Sequence, residues 1–242
     1  MIHLEELSMN ALPALQTLLY DGWVIRMSDG YTKRANSVNP VYHTQGDVGL
    51  KMAYCEDLFQ RNNLRPTYKI TPFVTPDNLD ALLEARGYRS VDSTSVQTMP
   101  LETIPAPDIR SVTYEQVYSP VWLAQYCEFG GIGVDNRVTY ARMLKSLVPK
   151  ALYATLYHDG EPVGCGLAVI ENGYMGLYDI IIAQQHRGCG YGRQLMLNLL
   201  HAGIKQGARC AYLQVVLANT TAMRLYASLG FKEAYRYHYR VS

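Results

Sequence analysis

Residues 180–193 read Ile-Ile-Ile-Ala-Gln-Gln-His-Arg-Gly-Cys-Gly-Tyr-Gly-Arg, and the chemistry this stretch offers is the holding of an anion. An aliphatic run gives way to a glycine-rich turn with an arginine in it, and a helical pattern follows at once. Without a Cβ, the backbone at Gly188, Gly190 and Gly192 can curl until several N–H groups converge on one anion. The helix adds the unpaired amides of its first turn and the positive end of its dipole. Arg187 would contribute a charge-assisted bond to phosphate. Arg193 either touches phosphate too or stands in solvent. Two common phosphate turns are excluded by the residues themselves. A P-loop needs Lys-Ser/Thr after its glycines, and none follows. A dinucleotide turn needs Gly-x-Gly-x-x-Gly and an acidic ribose ligand about 20 residues on, whereas Arg193 stands at the third glycine and the later segment reads Arg209-Cys210-Ala211-Tyr212.

A second segment follows in the right order. Tyr212 to Val216 reads as a strand, and Asn219 to Phe231 as a capped helix: Asn219 is a suitable N-cap and Gly230 suits the left-handed residue after the last turn. Ala222, Leu225, Tyr226 and Leu229 fall on one helical face. The pattern Arg187-x-x-Gly190-x-Gly192 after an aliphatic strand, followed by this strand and helix, resembles the acyl-CoA pyrophosphate loop and cofactor region of the GNAT acetyltransferase superfamily.

The resemblance implies acetyl transfer from acetyl-CoA to an amine by direct attack in a ternary complex, where orientation supplies the rate without a covalent intermediate. It implies that the loop from Arg187 to Arg193, Gly188 included, holds the pyrophosphate and that Asn219 contacts the pantetheine arm. Main-chain groups of Ile180 and Ile182 would bind that arm, and an N–H there could polarise the thioester carbonyl; their side chains can be core meanwhile. Tyr226 would lie near the sulfur as general acid. A phenol near about 10 protonating a thiolate near about 8.5 is uphill by about 2 kcal/mol, so Tyr226 either has a depressed pKa or only hydrogen-bonds the sulfur. The acceptor must lose a proton; Asp179 is the nearest acidic candidate, a turn-stabilising carboxylate being its alternative role. Glu128 and Asp135 could meet a cationic acceptor or be exposed loop charge, and Cys189 reads as an incidental turn residue. A non-catalytic acyl-CoA sensor on the same fold is the alternative, and another acyl group remains open. A small-molecule acceptor is favoured because paired halves could enclose one.

The elements that must position these residues follow the same family. Ile109–Tyr114 reads as a first strand, Pro120–Phe129 and Asn136–Leu147 as helices. Ala151–Tyr157, Pro162–Ile170 and Tyr174–Ala183 read as a meander turned by Asp159-Gly160 and Asn172-Gly173, both strong hairpin signals. A last strand runs through Arg236–Arg240. The expected fold is α/β: a GNAT fold over 108–242, with a mixed, mostly antiparallel sheet and splayed central strands, preceded by a partial GNAT-like α/β half. The proline-rich stretch 101–107 reads as a linker. Residues 1–100 look like a worn copy of the same fold, with a hairpin of Trp23–Met27 and Tyr31–Val38 through Asp29-Gly30, a helix over Asp47–Phe59 and a strand at Thr67–Thr71. That copy has no Arg-x-x-Gly-x-Gly, so it is expected to bind no CoA.

Composition sets the remaining bounds. The 242 residues are 48% hydrophobic and 18% charged, ordinary for a globular protein. A net charge of +1 gives no electrostatic case for nucleic acid or membrane surface. No apolar run suits a membrane span and the first residues do not read as a signal peptide. Five cysteines without C-x-x-C spacing suit a reduced, cytoplasmic setting with no metal site. A homodimer is compatible with all of this.

Overall fold

A computed structural model describes residues 1–242. The chain begins with α1 (Ile2–Ala11), β1 (Gln16–Tyr20), β2 (Trp23–Met27) and β3 (Ser37–Pro40). Next come α2 (Val48–Arg61), β4 (Thr67–Ile70), α3 (Leu79–Ala85) and β5 (Arg89–Pro100). β6 (Val112–Glu115), α4 (Pro120–Gly130) and α5 (Val134–Lys145) precede the meander β7 (Lys150–His158), β8 (Glu161–Glu171) and β9 (Tyr174–Ile182). α6 (Tyr191–Lys205), β10 (Cys210–Val216), α7 (Thr220–Leu229) and β11 (Lys232–Val241) follow. No helix is long and apolar enough to cross a membrane.

Two compact units emerge: residues 1–96 with 216–218 and 234–242, and residues 97–215 with 219–233. The closing strand, expected with the second half, therefore counts with the first. The reason is its pairing: β11 runs antiparallel to β4, from His238 opposite Ile70 to Val241 opposite Thr67. The proline-rich stretch 101–107 lies in no helix or strand, between β5 and β6. β5 continues to Pro100, and Leu101 is buried with its N–H on Arg209 O at 2.9 Å.

In the first unit the strand order is β1-β2-β3-β4-β11. One sheet face buries Trp23, Ile25, Val38 and Tyr68 with Met52 and Phe59 of α2, each full burial contributing roughly 1.5–3 kcal/mol. The opposite face is polar: buried Lys69 meets buried Glu5 of α1 at 2.5 Å, and Tyr235 donates to the same carboxylate at 2.6 Å. The anticipated Asp29-Gly30 hairpin is wider than a two-residue turn. β3 starts only at Ser37, because the Asn36 side chain accepts from Ser28 N (2.7 Å) and Gly30 N (3.0 Å) and donates to Thr32 O (2.8 Å), closing a loop. The true tight hairpin is Asp21-Gly22, which joins β1 to β2.

Asp21 also reaches the start of α2. Its carboxylate accepts from Gly46 N (2.9 Å), Gln45 N (3.2 Å), Thr44 Oγ1 (2.7 Å) and Lys51 Nζ (3.1 Å), while Asp47 caps the helix through Leu50 N at 2.8 Å.

In the second unit the order is β5-β10-β9-β8-β7-β6, with β6 to β9 antiparallel and β9–β10 parallel. Both tight hairpins form as expected, with Asp159 and Asn172 at φ +51° each followed by a positive-φ glycine, the conformation such two-residue turns require. Alternation along β7 divides the faces. Leu152, Ala154 and Leu156 join Leu195 and Leu199 of α6 in one core. Tyr153 points the other way, onto Trp122 of α4 at 5.1 Å between rings. α5 begins at Val134, two residues before the expected start.

The donors around Asp21 hold its carboxyl well below the usual carboxylate range, the Gly46 amide contributing most, then Thr44 and Lys51. An unfolded chain therefore takes up a proton at Asp21 before the folded protein does. The stabilisation is present above about pH 4 and is lost as pH falls towards the lower folded value. Urea midpoints followed from pH 6 to pH 2.5 should fall less steeply for Asp21→Asn, which should itself be less stable at pH 6.

Candidate active site

The site is organised by a break in the second unit's sheet. β9 pairs with β10 only from Tyr174 opposite Cys210 to Leu177 opposite Leu213, although both strands run on. The expected splay of the central strands thus starts after Leu177. At the same place the β8–β9 register slips: Leu167 faces Tyr178, the next partners are Cys165 and Ile181, and Asp179 and Ile180 share the interval. Asp179 has φ +54°, a left-handed conformation that costs a non-glycine residue about 1–2 kcal/mol.

This bulge re-aims the side chains. Leu177, Ile180 and Ile182 all face the α6 core, whereas Asp179 turns to the α4–α5 side, where it accepts a hydrogen bond from Tyr140 of α5. Tyr178 also leaves the α6 face, meeting the Tyr212 hydroxyl at 3.0 Å. Small residues in β8 make room. A Cβ at Gly166 would stand 2.7 Å from Ile180 Cδ1 and 3.0 Å from Leu199 Cδ1, and one at Gly164 would stand 2.8 Å from Ile181 O.

The backbone beyond the bulge is directed by its neighbours. Ala183 N donates to Val163 O at 3.0 Å, so by strand alternation the main-chain groups of Ile182 and Ile180 turn away from β8, into the gap left by β10. Arg187 Nε donates to Ile182 O at 3.1 Å, which ties the glycine loop to the gap. Gly188 (φ +81°) and Gly190 (φ +82°) are left-handed, and nothing lies within 4 Å of where a Cβ would be. Their conformation, not crowding, calls for glycine, and the space around the loop is open. Intrahelical bonding of α6 begins with the Arg193 and Gln194 amides on Gly190 O, at 3.0 and 3.3 Å, leaving the loop amides at the positive end of a 15-residue helix. Gly192 lies against Leu225 of α7 at a prospective 3.4 Å. Arg193 turns to α7 too, with Nη1 3.3 Å from Ser228 Oγ.

α7 contributes the other wall. Asn219 caps it, its Oδ1 accepting from Ala222 N at 3.1 Å. None of its residues is fully buried, yet Ala222, Leu225, Tyr226 and Leu229 all lean on the α6 core. The Tyr226 ring meets Phe231 edge-on at 6.0 Å. Burial pushes the Tyr226 phenol up to about 12, so of the two options for this residue, a depressed pKa is not what the site provides.

Around Asp179 the surroundings are aromatic. Tyr140 is wholly buried, with Tyr126 at 5.6 Å, and Tyr126 stacks on Trp122 at 5.6 Å and 3°. The charge of Asp179 is felt from three further elements. Burial, then this carboxylate, raises the Tyr153 phenol to about 12 and also raises the Cys165 thiol; the Cys127 thiol is raised mainly by burial, opposed by Arg137, with Asp179 adding least. Glu128 and Asp135 are exposed, and Cys189 Sγ lies 3.7 Å from Arg187 O in the exposed turn. Tyr140 was not singled out from the sequence, being one of 20 tyrosines on a helix without a motif. No group of His, Cys, Asp and Glu suited to a metal ion is present.

Gly164→Ala tests the packing that supports the bulge. The added methyl must displace Ile181 O or Ile182, so equilibrium urea unfolding should show a loss of about 1–3 kcal/mol.

Comparison with known proteins agrees with this geometry. The family model described as probable histone acetyltransferase Rv0428c, C-terminal, matches residues 1–240. The uncharacterized N-acetyltransferase YobR of Bacillus subtilis (strain 168) is 29% identical over 243 residues, spanning 98% of this chain and 97% of the relative. A GCN5-related N-acetyltransferase from Kribbella flavida superposes with a TM-score of 0.75 at 14% identity, covering 100% of this chain and 95% of that one. A tandem GNAT protein from the clavulanic acid biosynthesis pathway gives 0.68 at 15% identity, covering 98% and 86%. At those identities the structural likeness is one of fold. With a family match over nearly its whole length, on a sheet parted beside a glycine loop, the chain belongs to this acetyltransferase family and to the GNAT superfamily, and is an acyltransferase.

Proposed function

We propose that the protein transfers an acetyl group from acetyl-CoA to a primary amine, most simply on a small molecule, by direct attack with both substrates bound. The observation that carries this reading is the open, left-handed turn at Gly188 and Gly190, anchored by Arg187 on Ile182 O at the mouth of the strand gap. Such a turn at a helix N-terminus suits a pyrophosphate, and the gap suits an extended arm bonded to the main chain of Ile180 and Ile182. Asn219, at the α7 cap, lies on the wall this arm would follow.

Asp179 takes one proton of the acceptor ammonium, directly or through water, the freed lone pair attacks the thioester carbonyl, and the nitrogen gives up its second proton to water as the tetrahedral intermediate collapses. An Ile180 or Ile182 N–H steadies the oxyanion. As the C–S bond breaks, Tyr226 meets the departing sulfur. Outright proton transfer from a phenol held near 12 to a thiolate near about 8.5 would be uphill by about 5 kcal/mol. Tyr226 therefore acts mainly as a hydrogen-bond donor, and the thiolate is finally protonated from solvent.

The first unit is best read as a degenerate copy. Its order β2-β3-α2-β4-α3 matches β8-β9-α6-β10-α7, with β3 parallel to β4 as β9 is to β10. At the start of α2, however, the Asp21 carboxylate occupies the amides of Gln45 and Gly46, so this half binds no CoA. Five free cysteines accord with a cytoplasmic setting. A protein amine is the second acceptor class, favoured by the description of the matching family as a probable histone acetyltransferase.

Calorimetric titration with acetyl-CoA should give binding on the order of micromolar. The Arg187→Ala/Gly190→Asp double variant should lose it, through a missing cation and an added carboxylate at the phosphate. No heat from the wild-type protein would end the acetyl-CoA reading. Thiol release across panels of small amines and lysine peptides then separates the two acceptor classes.

With an acceptor in hand, Tyr226→Phe should lower kcat about 10- to 100-fold, the scale of a lost hydrogen bond of about 1.5–3 kcal/mol to a developing charge, and leave the KM for acetyl-CoA nearly unchanged. Full activity in that variant would remove the role assigned to the hydroxyl.

A further inference from the structure

We infer that Tyr140 is a positioning residue for acceptor deprotonation, holding the Asp179 carboxylate at the strand break by a hydrogen bond from its buried hydroxyl. The inference rests on the reading of Asp179 as the base. Asp179 needs holding: it stands at φ +54° in a bulge, a conformation that persists only where its surroundings over-determine it. It is only partly buried, as a base that must meet an incoming amine has to be.

Tyr140 is the opposite. It is 0% exposed and lies on the α5 helix between Thr139 and Met143, which are also buried. Its ring is backed by Tyr126, and Tyr126 is stacked on Trp122, whose indole N–H is fixed on Ala154 O at 3.0 Å. The hydroxyl reaches Asp179 Oδ2 from this rigid stack. A phenol donating to one carboxylate oxygen favours the ionised form and sets the rotation of the group, so that Oδ1 is presented in a defined direction. The titratable groups facing Asp179 are Tyr140 from α5, Cys127 from α4, Tyr153 from β7 and Cys165 from β8. The last three are thiols or a phenol raised by burial, neutral near pH 7, whereas Tyr140 donates a hydrogen bond directly to the carboxylate.

Two measurements test this, and the first needs no acceptor. In protein carrying carboxyl-13C aspartate, with Asp179 assigned by its loss in Asp179→Asn, Tyr140→Phe should move the Asp179 titration midpoint upward by about one pH unit. A thermal midpoint close to wild type would establish that the near-isosteric ring still packs. The second measurement is a double-mutant cycle on thiol release with acetyl-CoA and the best amine from the panel. Tyr140→Phe should lower kcat about tenfold in the wild-type background and have no further effect in Asp179→Asn, with the acetyl-CoA KM unmoved in both.

An unmoved carboxylate titration in folded Tyr140→Phe would overturn the inference outright. So would Tyr140→Phe and Asp179→Asn effects that multiply, since Tyr140 would then not act through Asp179. If Asp179→Asn keeps wild-type turnover while the titration still shifts, the base reading itself has failed, and the positioning role falls with it by a separate route.

Discussion

The parting of β9 from β10 after Leu177 is the constraint on which the rest of the second unit depends. A parallel pair that continued to its full length would satisfy its own main chain and leave nothing to bind. Stopping the ladder at Leu177 and Leu213 turns several residues of strand backbone into a surface with donors and acceptors in fixed positions. A break of this kind is unstable unless its neighbours absorb it. β8 does so with Gly164 and Gly166, which admit Ile180 to Ile182 where a methyl would collide. The bulge does so by spending one extra residue, Asp179, at a positive φ. The same extra residue reverses the alternation, so that Ile180 and Ile182 stay in the α6 core while the carboxylate turns to the opposite face. Backbone surface, acid placement and core continuity are thus consequences of one irregularity.

The two long helices that follow β3 and β9 show how the same local physics is used or cancelled. Each N-terminus has unpaired amides and a positive partial charge. Before α2, two carboxylates answer that charge from within the chain: Asp47 as the cap and Asp21 across Thr44, Gln45 and Gly46, with the buried ammonium of Lys51 behind them over the Trp23 ring at 4.2 Å. Before α6 there is no acidic residue in the loop or first turn, two left-handed glycines hold the backbone open, and Arg187 adds to the charge instead of neutralising it. A helix start closed by its own carboxylates gains stability; one left open keeps its first amides unpaired.

What the sequence made legible is what local geometry dictates. Asp159-Gly160 and Asn172-Gly173 announce left-handed turns because only such residues tolerate them, and the glycines and cap of the second half do the same for the loop and α7. Contacts made by residues distant in sequence left no such mark. Tyr140 lies 39 residues from Asp179, and no spacing rule joins them. The pairing of β11 with β4 spans more of the chain still, and an alternating strand such as Tyr235-Arg236-Tyr237-His238-Tyr239 satisfies any edge that offers a matching face. At Asp29-Gly30 the local signal was real but incomplete: the turn forms, yet the Asn36 amide side chain competes for the loop's backbone groups and delays the strand to Ser37. Asp179 lay between these cases: alternation places its side chain opposite Ile180 and Ile182, as the structure has it, while the bulge that puts it beside Tyr178 on that face left no mark.

The two groups flanking the gap are biased in opposite senses, and this fits a division of labour. Tyr226 sits on a helix with no fully buried residue, yet its phenol is driven up by the core it leans on. It therefore stays protonated throughout the neutral range and always has a hydrogen to offer. Asp179 is partly exposed but bonded by a buried donor, which favours its charged, accepting form. A transfer that takes a proton from an ammonium on one side and shields a developing thiolate on the other needs an acceptor and a donor already in those forms.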